Sequence, residues 1–183
     1  LEGNTLCNLG LLHHVQRRFT EALDPLEAAL AMARDMGNAH LECVVLCNLG
    51  MAHDSLARFD EARLHFEAAL AIARELKLQR EEGEFLSYLG LLHAHQVRFD
   101  EARQCLEASE ALLHAVSDRV SLGIMLCNRA ETEHLADVPH AARSALEAAD
   151  VIANEVGTGP DSELRLAIAR VRNLLGHQQA IAS

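Results

Sequence analysis

Residues 48–75 read NLGMAHDSLARFDEARLHFEAALAIARE, and this stretch decides the fold. Its Asn-Leu-Gly start recurs every 40 residues, without insertion or deletion. The copies are Asn8-Leu9-Gly10, Asn48-Leu49-Gly50, Tyr88-Leu89-Gly90 and a weaker Asn128-Arg129-Ala130. A fixed period of this size is typical of a solenoid of repeated supersecondary units.

The second half of each repeat returns at the same spacing. An Arg-Phe pair, an Asp- or Thr-Glu-Ala group and an apolar residue before Glu-Ala recur in the first three repeats. This pattern predicts two helices per repeat, with Arg-Phe at their connection. We expect the residue after Phe to cap the second helix, because its side chain can accept a hydrogen bond from a free amide there. The predicted caps are Thr20, Asp60 and Asp100.

Small residues occupy one position on each helix of every repeat. The first helices carry Gly10, Gly50, Gly90 and Ala130, and the second helices carry Ala22, Ala62, Ala102 and Ala142. We expect the two helices of a repeat to approach most closely at these positions. A larger side chain would overpack the contact, at a typical cost of about 1–3 kcal/mol.

The composition fits an all-α chain and excludes several functions. Half of the 183 residues are apolar, aromatics make up only 3%, and the formal net charge is −11. That charge argues against a nucleic-acid partner or an anionic membrane, both of which attract clustered Lys and Arg. The odd number of cysteines, five, without a CxxC pair, indicates reduced thiols in a cytoplasmic protein. No catalytic pairing or cofactor motif is present, and we expect no enzyme activity and no cofactor.

The repeats resemble those of the tetratricopeptide repeat family. The resemblance rests on Asn-Leu-Gly in the first helix, then Phe-Asp-Glu-Ala, then Glu-Ala-Ala-Leu, and it covers residues 1 to about 155. At 40 residues, each repeat is longer than the common 34, as in Pins-like adaptors, kinesin light chains, and bacterial MalT-like regulators and signalling ATPases. HEAT and armadillo repeats have this length but lack the Gly and Ala pattern.

The resemblance implies a right-handed α-α superhelix of about four hairpins plus a C-terminal capping helix. We expect a single array over 1–183, with repeats at about 1–37, 38–77, 78–117 and 118–157 and the cap at about 161–177. The fourth repeat departs from the pattern, since Arg129 and Glu131 replace apolar residues and Pro139 replaces Phe. Pro139 is also compatible with the first turn of a helix.

The resemblance also implies a concave groove that is lined by the first helix of each repeat and could bind an extended peptide. Asn8, Asn48 and Asn128 are the sharpest candidates, because an amide side chain can both donate to and accept from a peptide backbone. The alternative is that they hydrogen-bond neighbouring helices. A groove that clamps the terminal carboxylate of a peptide is disfavoured, because the Lys and Arg side chains that such a clamp uses are missing from the groove positions. The predicted groove residues are Cys7, Asn8, Leu11, His14, Val44, Cys47, Asn48, Met51, Tyr88, Leu91, His95 and Asn128.

Three histidines, His13, His53 and His93, occupy equivalent positions and raise the hypothesis of a metal site. Stacked helices lie about 8–10 Å apart, whereas zinc needs its nitrogen ligands at about 2.0–2.1 Å. We therefore expect no metal, and histidine rings that pack between helices with hydrogen-bonded nitrogens. Cys43 and Cys47 lie one turn apart, but a packing role fits them better.

The sequence favours a scaffold that binds a protein or peptide partner in the groove. An alternative is a regulatory or oligomerising segment of a larger bacterial signalling or transcription-regulating protein, with self-association; a single Lys, Lys77, suits a GC-rich bacterial genome. A small-ligand sensor is a third alternative without specific support. The chain begins at Leu1, without Met and inside a predicted helix. We expect it to belong to a longer protein, in which Leu1, Leu6, Leu9 and Leu12 include residues that face a preceding hairpin.

Overall fold

A computed structural model describes residues 2–181, with side chains described for residues 2–176, and Leu1 lies outside this range. The described chain is all-α, and antiparallel helices pack as hairpins. We call the first helix of each hairpin the A helix (α1, α3, α5, α7) and the second the B helix (α2, α4, α6, α8). The helices are α1 Glu2–Val15, α2 Phe19–Asp35, α3 Ala39–Ser55, α4 Phe59–Glu75, α5 Gln79–His95, α6 Phe99–Ala115, α7 Arg119–Leu135, α8 Pro139–Val156 and α9 Glu163–Ile181.

Each of the first eight helices is followed by a residue in the left-handed backbone region, and these residues are spaced 20 apart. After α2, for example, the amide of Gly37 donates to the carbonyl of Arg34 (3.0 Å) and the amide of Asn38 donates to that of Ala33 (2.8 Å). This pair of bonds is the Schellman motif, which satisfies carbonyls at the helix end. The eight residues, with φ between 56° and 72°, are Arg17, Gly37, Ala57, Lys77, Val97, Ser117, Asp137 and Gly157.

The helix starts differ between A and B helices. Asn38 and Asp118 cap α3 and α7, since each side chain accepts a hydrogen bond from a backbone amide in the first turn (3.0 Å). The B helices α2, α4 and α6 begin at Phe, with an arginine at the N-cap whose side chain makes no cap bond. The prediction that Thr20, Asp60 and Asp100 are caps is therefore wrong, because each is the second residue of its helix.

The acidic residues in the first turn of the B helices have a different role from capping. Asp60 and Asp100 lie close to the positive end of the helix dipole, where a carboxylate is favourable. At the fourth B helix, Pro139 begins α8, which confirms the interpretation of this proline as a first-turn residue.

The A and B helices of each hairpin meet at the small residues. A Cβ added to Gly50 would lie 2.7 Å from Cδ1 of Phe66, and one added to Gly10 would lie 2.4 Å from Cγ of Leu26. Both distances are shorter than carbon atoms tolerate, so neither position accepts a side chain without movement. The facing alanines of the B helices are fully buried: Ala22, Ala62, Ala102 and Ala142.

The chain divides into two compact units, which we call the N-terminal unit, Leu1–Phe85, and the C-terminal unit, Leu86–Ser183. In the N-terminal unit, α1 packs on α2 and α3, and α3 packs on α4. In the C-terminal unit, α7 packs on α6, α8 and α9. The single array over residues 1–183 stays a prediction.

The last helix closes the C-terminal unit as expected, although it begins at Glu163. Its inner face buries Leu164, Ile168 and Val171 completely or nearly so against α7 and α8. Its outer face carries Arg170 and Arg172. A final helix with one apolar and one polar face is what an array end requires.

We predict that Gly50→Ala lowers the free energy of unfolding by about 1 kcal/mol. Overpacking against Phe66 costs about 1–3 kcal/mol and outweighs the gain in helix propensity of about 1 kcal/mol. Urea unfolding measures the change. The control is Gly176→Ala, which meets no atom within 4 Å; a neutral or stabilising Gly50→Ala would contradict the close approach.

We predict that Val97→Gly raises the free energy of unfolding by about 1 kcal/mol. Val97 has φ 63° and is 72% exposed, so the substitution removes a left-handed penalty of about 1–2 kcal/mol and little buried area. The greater freedom of glycine in the unfolded chain offsets part of this gain. Gly37→Val, at the equivalent turn, should lower the free energy of unfolding by a similar amount. Equal free energies of unfolding for Val97→Gly and the parent would contradict the left-handed backbone penalty at Val97.

Candidate peptide-binding surface

Neighbouring A helices are joined by polar side chains that are 41 residues apart. In the N-terminal unit, Nδ2 of Asn48 donates to Sγ of Cys7 (3.2 Å), and Nε2 of His14 lies 3.1 Å from Oγ of Ser55. In the C-terminal unit, Nδ2 of Asn128 donates to Oγ of Ser87 (2.8 Å). Successive A helices are therefore offset by one residue from the 40-residue period. The 40-residue period alone does not predict this offset.

The twelve predicted groove residues differ in their exposure. One, Asn8, is exposed. Seven are half-buried: Leu11, His14, Val44, Asn48, Met51, Tyr88 and His95. The remaining four are buried: Cys7, Cys47, Leu91 and Asn128. Those that reach the surface most fully lie mainly on α1 and α3, in the N-terminal unit.

The three asparagines are not equivalent in the structure. Asn128 is only 2% exposed and its amide donates to Ser87, so it ties α7 to α5. Asn48 is half-buried and uses its amide nitrogen on Cys7, which leaves its carbonyl oxygen outside that bond. Asn8 is exposed. The alternative of bonding to a neighbouring helix thus describes Asn128 and the amide nitrogen of Asn48, while peptide contact by Asn8 and Asn48 stays a prediction.

In the C-terminal unit, Glu131, the polar residue that replaces an apolar one, is held by a histidine and an arginine. Its carboxylate lies 3.7 Å from Nε2 of His95 and forms an ion pair with Arg170 of α9. Burial of Glu131 raises its pKa, but the hydrogen bond from His95 and the charge of Arg170 outweigh burial and hold the pKa below its usual value. Glu131 is therefore an internal link between three helices. Sequence reasoning missed Arg170 as its partner.

Two further charges of the fourth repeat are also paired internally. Arg129, which stands where Leu is expected, lies 2.9 Å from Glu110. Arg103 donates two hydrogen bonds to Glu133, at 2.9 and 2.7 Å. Glu133 takes the position that histidine holds in the first three repeats. A paired arginine and glutamate thus replace histidine packing in this repeat.

The equivalent histidines pack between helices, but their nitrogens differ from expectation. The Nδ1 atoms of His13 and His53 are buried and have no hydrogen-bond partner among the described residues, so the expected bonding is wrong for these atoms. His53 stacks on His65 with ring centroids 5.2 Å apart. Burial lowers the pKa of both rings, and the charges of Arg58 on His53 and of His53 on His65 add to the effect.

Two buried cysteines are poor nucleophiles, and the described side chains form no metal-binding group. Burial raises the pKa of Cys43 to about 11 and that of Cys127 to about 12, so both thiols stay protonated and unreactive near neutral pH. Among the described side chains, no group of three or more His, Cys, Asp or Glu is placed to bind a metal ion. No described helix has the length and apolar composition needed to cross a bilayer.

We predict that stability falls as the pH drops below about 6.5, the ordinary pKa of histidine. The folded-state pKa values of His53 and His65 lie below the unfolded value, so the unfolded chain binds more protons in this range and stability is fully present only above it. His65→Phe keeps a ring against His53 and should reduce the loss of the thermal midpoint between about pH 7.5 and 5.5. His140→Phe, at an exposed position, is the control; an unchanged pH profile in His65→Phe would contradict the prediction.

Comparisons with known proteins agree with this architecture. Residues 1–75 match the family model described as tetratricopeptide repeat. No curated protein matches the chain. Among solved structures, the crystal structure of BtubC (BKLC) from P. vanneervenii superposes with a TM-score of 0.66 and 20% sequence identity, covering 88% of this chain and 67% of that one. At this identity the match shows the fold alone. Residues 1–75 therefore match tetratricopeptide repeats, and helical hairpins of the same form recur at 40-residue intervals in the rest of the described chain.

Proposed function

We propose that this protein is an interaction scaffold that binds an extended peptide segment of a partner protein. Tetratricopeptide arrays generally present such binding surfaces for other proteins. The proposed site is the A-helix face of the N-terminal unit, on α1 and α3. The observation that supports it best is the pair of asparagines at equivalent positions of successive repeats, Asn8 and Asn48, which both reach the surface.

The spacing of the two amides suits an extended backbone. Neighbouring helices pack about 8–10 Å apart, and an extended chain advances about 3.3 Å per residue. Two asparagines on adjacent A helices would therefore meet peptide groups about three residues apart. Asn8 offers a donor and an acceptor, and Asn48 offers its carbonyl oxygen, so together they would hold a main chain without selecting its side chains.

Half-buried apolar side chains on the same two helices would supply the remaining contact. Leu11 on α1 and Val44 and Met51 on α3 are each partly accessible. Met is flexible enough to pack against varied partners. The C-terminal unit offers less, because Leu91 and Asn128 are buried and Glu131 is paired with Arg170. These differences favour the N-terminal unit as the principal site.

The test selects ligands from a phage-displayed library of short unstructured peptides and measures their affinity by fluorescence polarisation. We predict that Asn8→Ala/Asn48→Ala weakens binding at least about tenfold, because each lost hydrogen bond is worth about 0.5–1.5 kcal/mol and tenfold corresponds to about 1.4 kcal/mol. Asn173→Ala, an exposed asparagine on α9, is the matched control and should leave affinity unchanged.

Two results would contradict the proposal. One is that the selected peptides bind the double variant as tightly as the parent while circular dichroism shows both to be folded. The other is that the library yields no peptide whose binding depends on α1 or α3, as tested with Met51→Glu.

A further inference from the structure

A stacked pair of histidines lies inside the second hairpin, with one ring on α3 and the other on α4. The rings of His53 and His65 have centroids 5.2 Å apart and an interplanar angle of 22°. His53 is only 9% exposed, and its buried Nδ1 has no hydrogen-bond partner among the described residues. A proton on either ring would therefore place a charge inside the hairpin, against the face of the other ring.

The charged groups around the pair do not compensate for such a proton. Arg58, which precedes α4, and Arg34 of α2 both oppose a positive charge on the rings. Glu61 of α4 and Glu27 of α2 act in the opposite direction, but both are exposed. Burial and the neighbouring cations outweigh the two glutamates and hold the pKa of both histidines below the ordinary value.

The same place in the last hairpin, α7–α8, holds a pair whose charge does not change in mild acid. Glu133 takes the position of His53 and accepts two hydrogen bonds from Arg103 of the preceding B helix, at 2.9 and 2.7 Å. Relative to His53, the position of Arg103 is taken by Leu23, which is buried and apolar. Ala145 takes the place of the second histidine. Arg and Glu side chains ordinarily keep their charges between about pH 5.5 and 7.5.

We propose that the stacked histidines make the second hairpin, α3–α4, open locally in mild acid while the last hairpin, α7–α8, stays closed. Opening separates the two rings and returns them to water, where each takes up a proton. A histidine that stays neutral in the closed hairpin and titrates freely in the open one favours opening by up to about tenfold when the pH falls from about 7.5 to about 5.5. The closed hairpin is thus fully favoured only above about pH 6.5, the ordinary pKa of histidine.

The opening would also act on the surface proposed for peptide binding. Asn48 and Met51 lie on another face of the same helix, α3, and an open hairpin no longer holds that helix in place against α1. This consequence rests on the proposed function. The opening itself does not, and it is tested without a peptide, so that a failure of one proposal is distinct from a failure of the other.

The experiment measures hydrogen exchange of the whole chain by mass spectrometry at about pH 7.5 and 5.5. The amides of α7 and α8 serve as the internal reference, because the chemical exchange rate of every amide changes with pH. We expect the exchange of α3 and α4, relative to that of α7 and α8, to rise by about tenfold at the lower pH. His65→Phe keeps a ring against His53 but removes one proton acceptor, and it should reduce the rise to about threefold.

Further variants separate the pair from the other histidines. His140→Phe, at an exposed position of α8, is the matched control and should retain the full rise. His53→Phe/His65→Phe removes both proton acceptors and should abolish the rise. If this double variant does not fold at about pH 7.5, His65→Gln, a polar side chain that does not titrate, provides the second comparison.

The proposal is overturned if the exchange of α3 and α4 relative to α7 and α8 is the same at both pH values. Acid would then loosen both hairpins alike or neither of them. It is also overturned if His65→Phe and His65→Gln both retain the full rise, because the acid response of α3 and α4 would then come from groups other than the stacked pair.

Discussion

The left-handed turn after every helix is the constraint on which the described structure depends. Each turn uses the same two backbone hydrogen bonds and stops its helix at the same register, 20 residues after the previous one. Equivalent residues of successive repeats therefore occupy equivalent places, and small residues such as Gly50 always meet the same partner. The turn itself tolerates Arg, Ala, Lys, Val, Ser and Asp in a backbone region that favours glycine. The surrounding helices hold these residues there, and only two of the eight turns use glycine.

The fourth repeat shows how the structure accommodates residues that differ from the repeat pattern. Ala130 takes the place of the glycine found in the other three repeats and is fully buried. Each new charge has gained a partner of opposite sign on a neighbouring helix. The pairs are Arg129 with Glu110, Glu133 with Arg103, and Glu131 with Arg170. A half-buried charge is tolerated only when it is paired, so these substitutions form a compensated set.

The two compact units differ in the side chains that are accessible to a partner. In the C-terminal unit, Asn128 and Glu131 are committed to internal links, and α9 closes the end of the helix stack. In the N-terminal unit, Asn8, Leu9 and Leu12 of α1 remain at the surface. Partner binding is therefore proposed for the N-terminal unit, at α1 and α3.

By itself, the sequence determined the all-α class, the 40-residue hairpin and the close approach at the Gly and Ala positions, because periodicity and side-chain volume are properties of the chain alone. The candidate groove positions came from the family resemblance and stay a prediction. The sequence did not determine the caps of the B helices, since the arginine N-caps lack the side-chain bond that would mark them. Only the tertiary structure decided that Asn128 is buried while Asn8 is exposed, and that Glu131 meets Arg170. Those outcomes depend on which helix lies opposite each residue, and the offset of one residue between A helices arises from packing rather than from the repeat period.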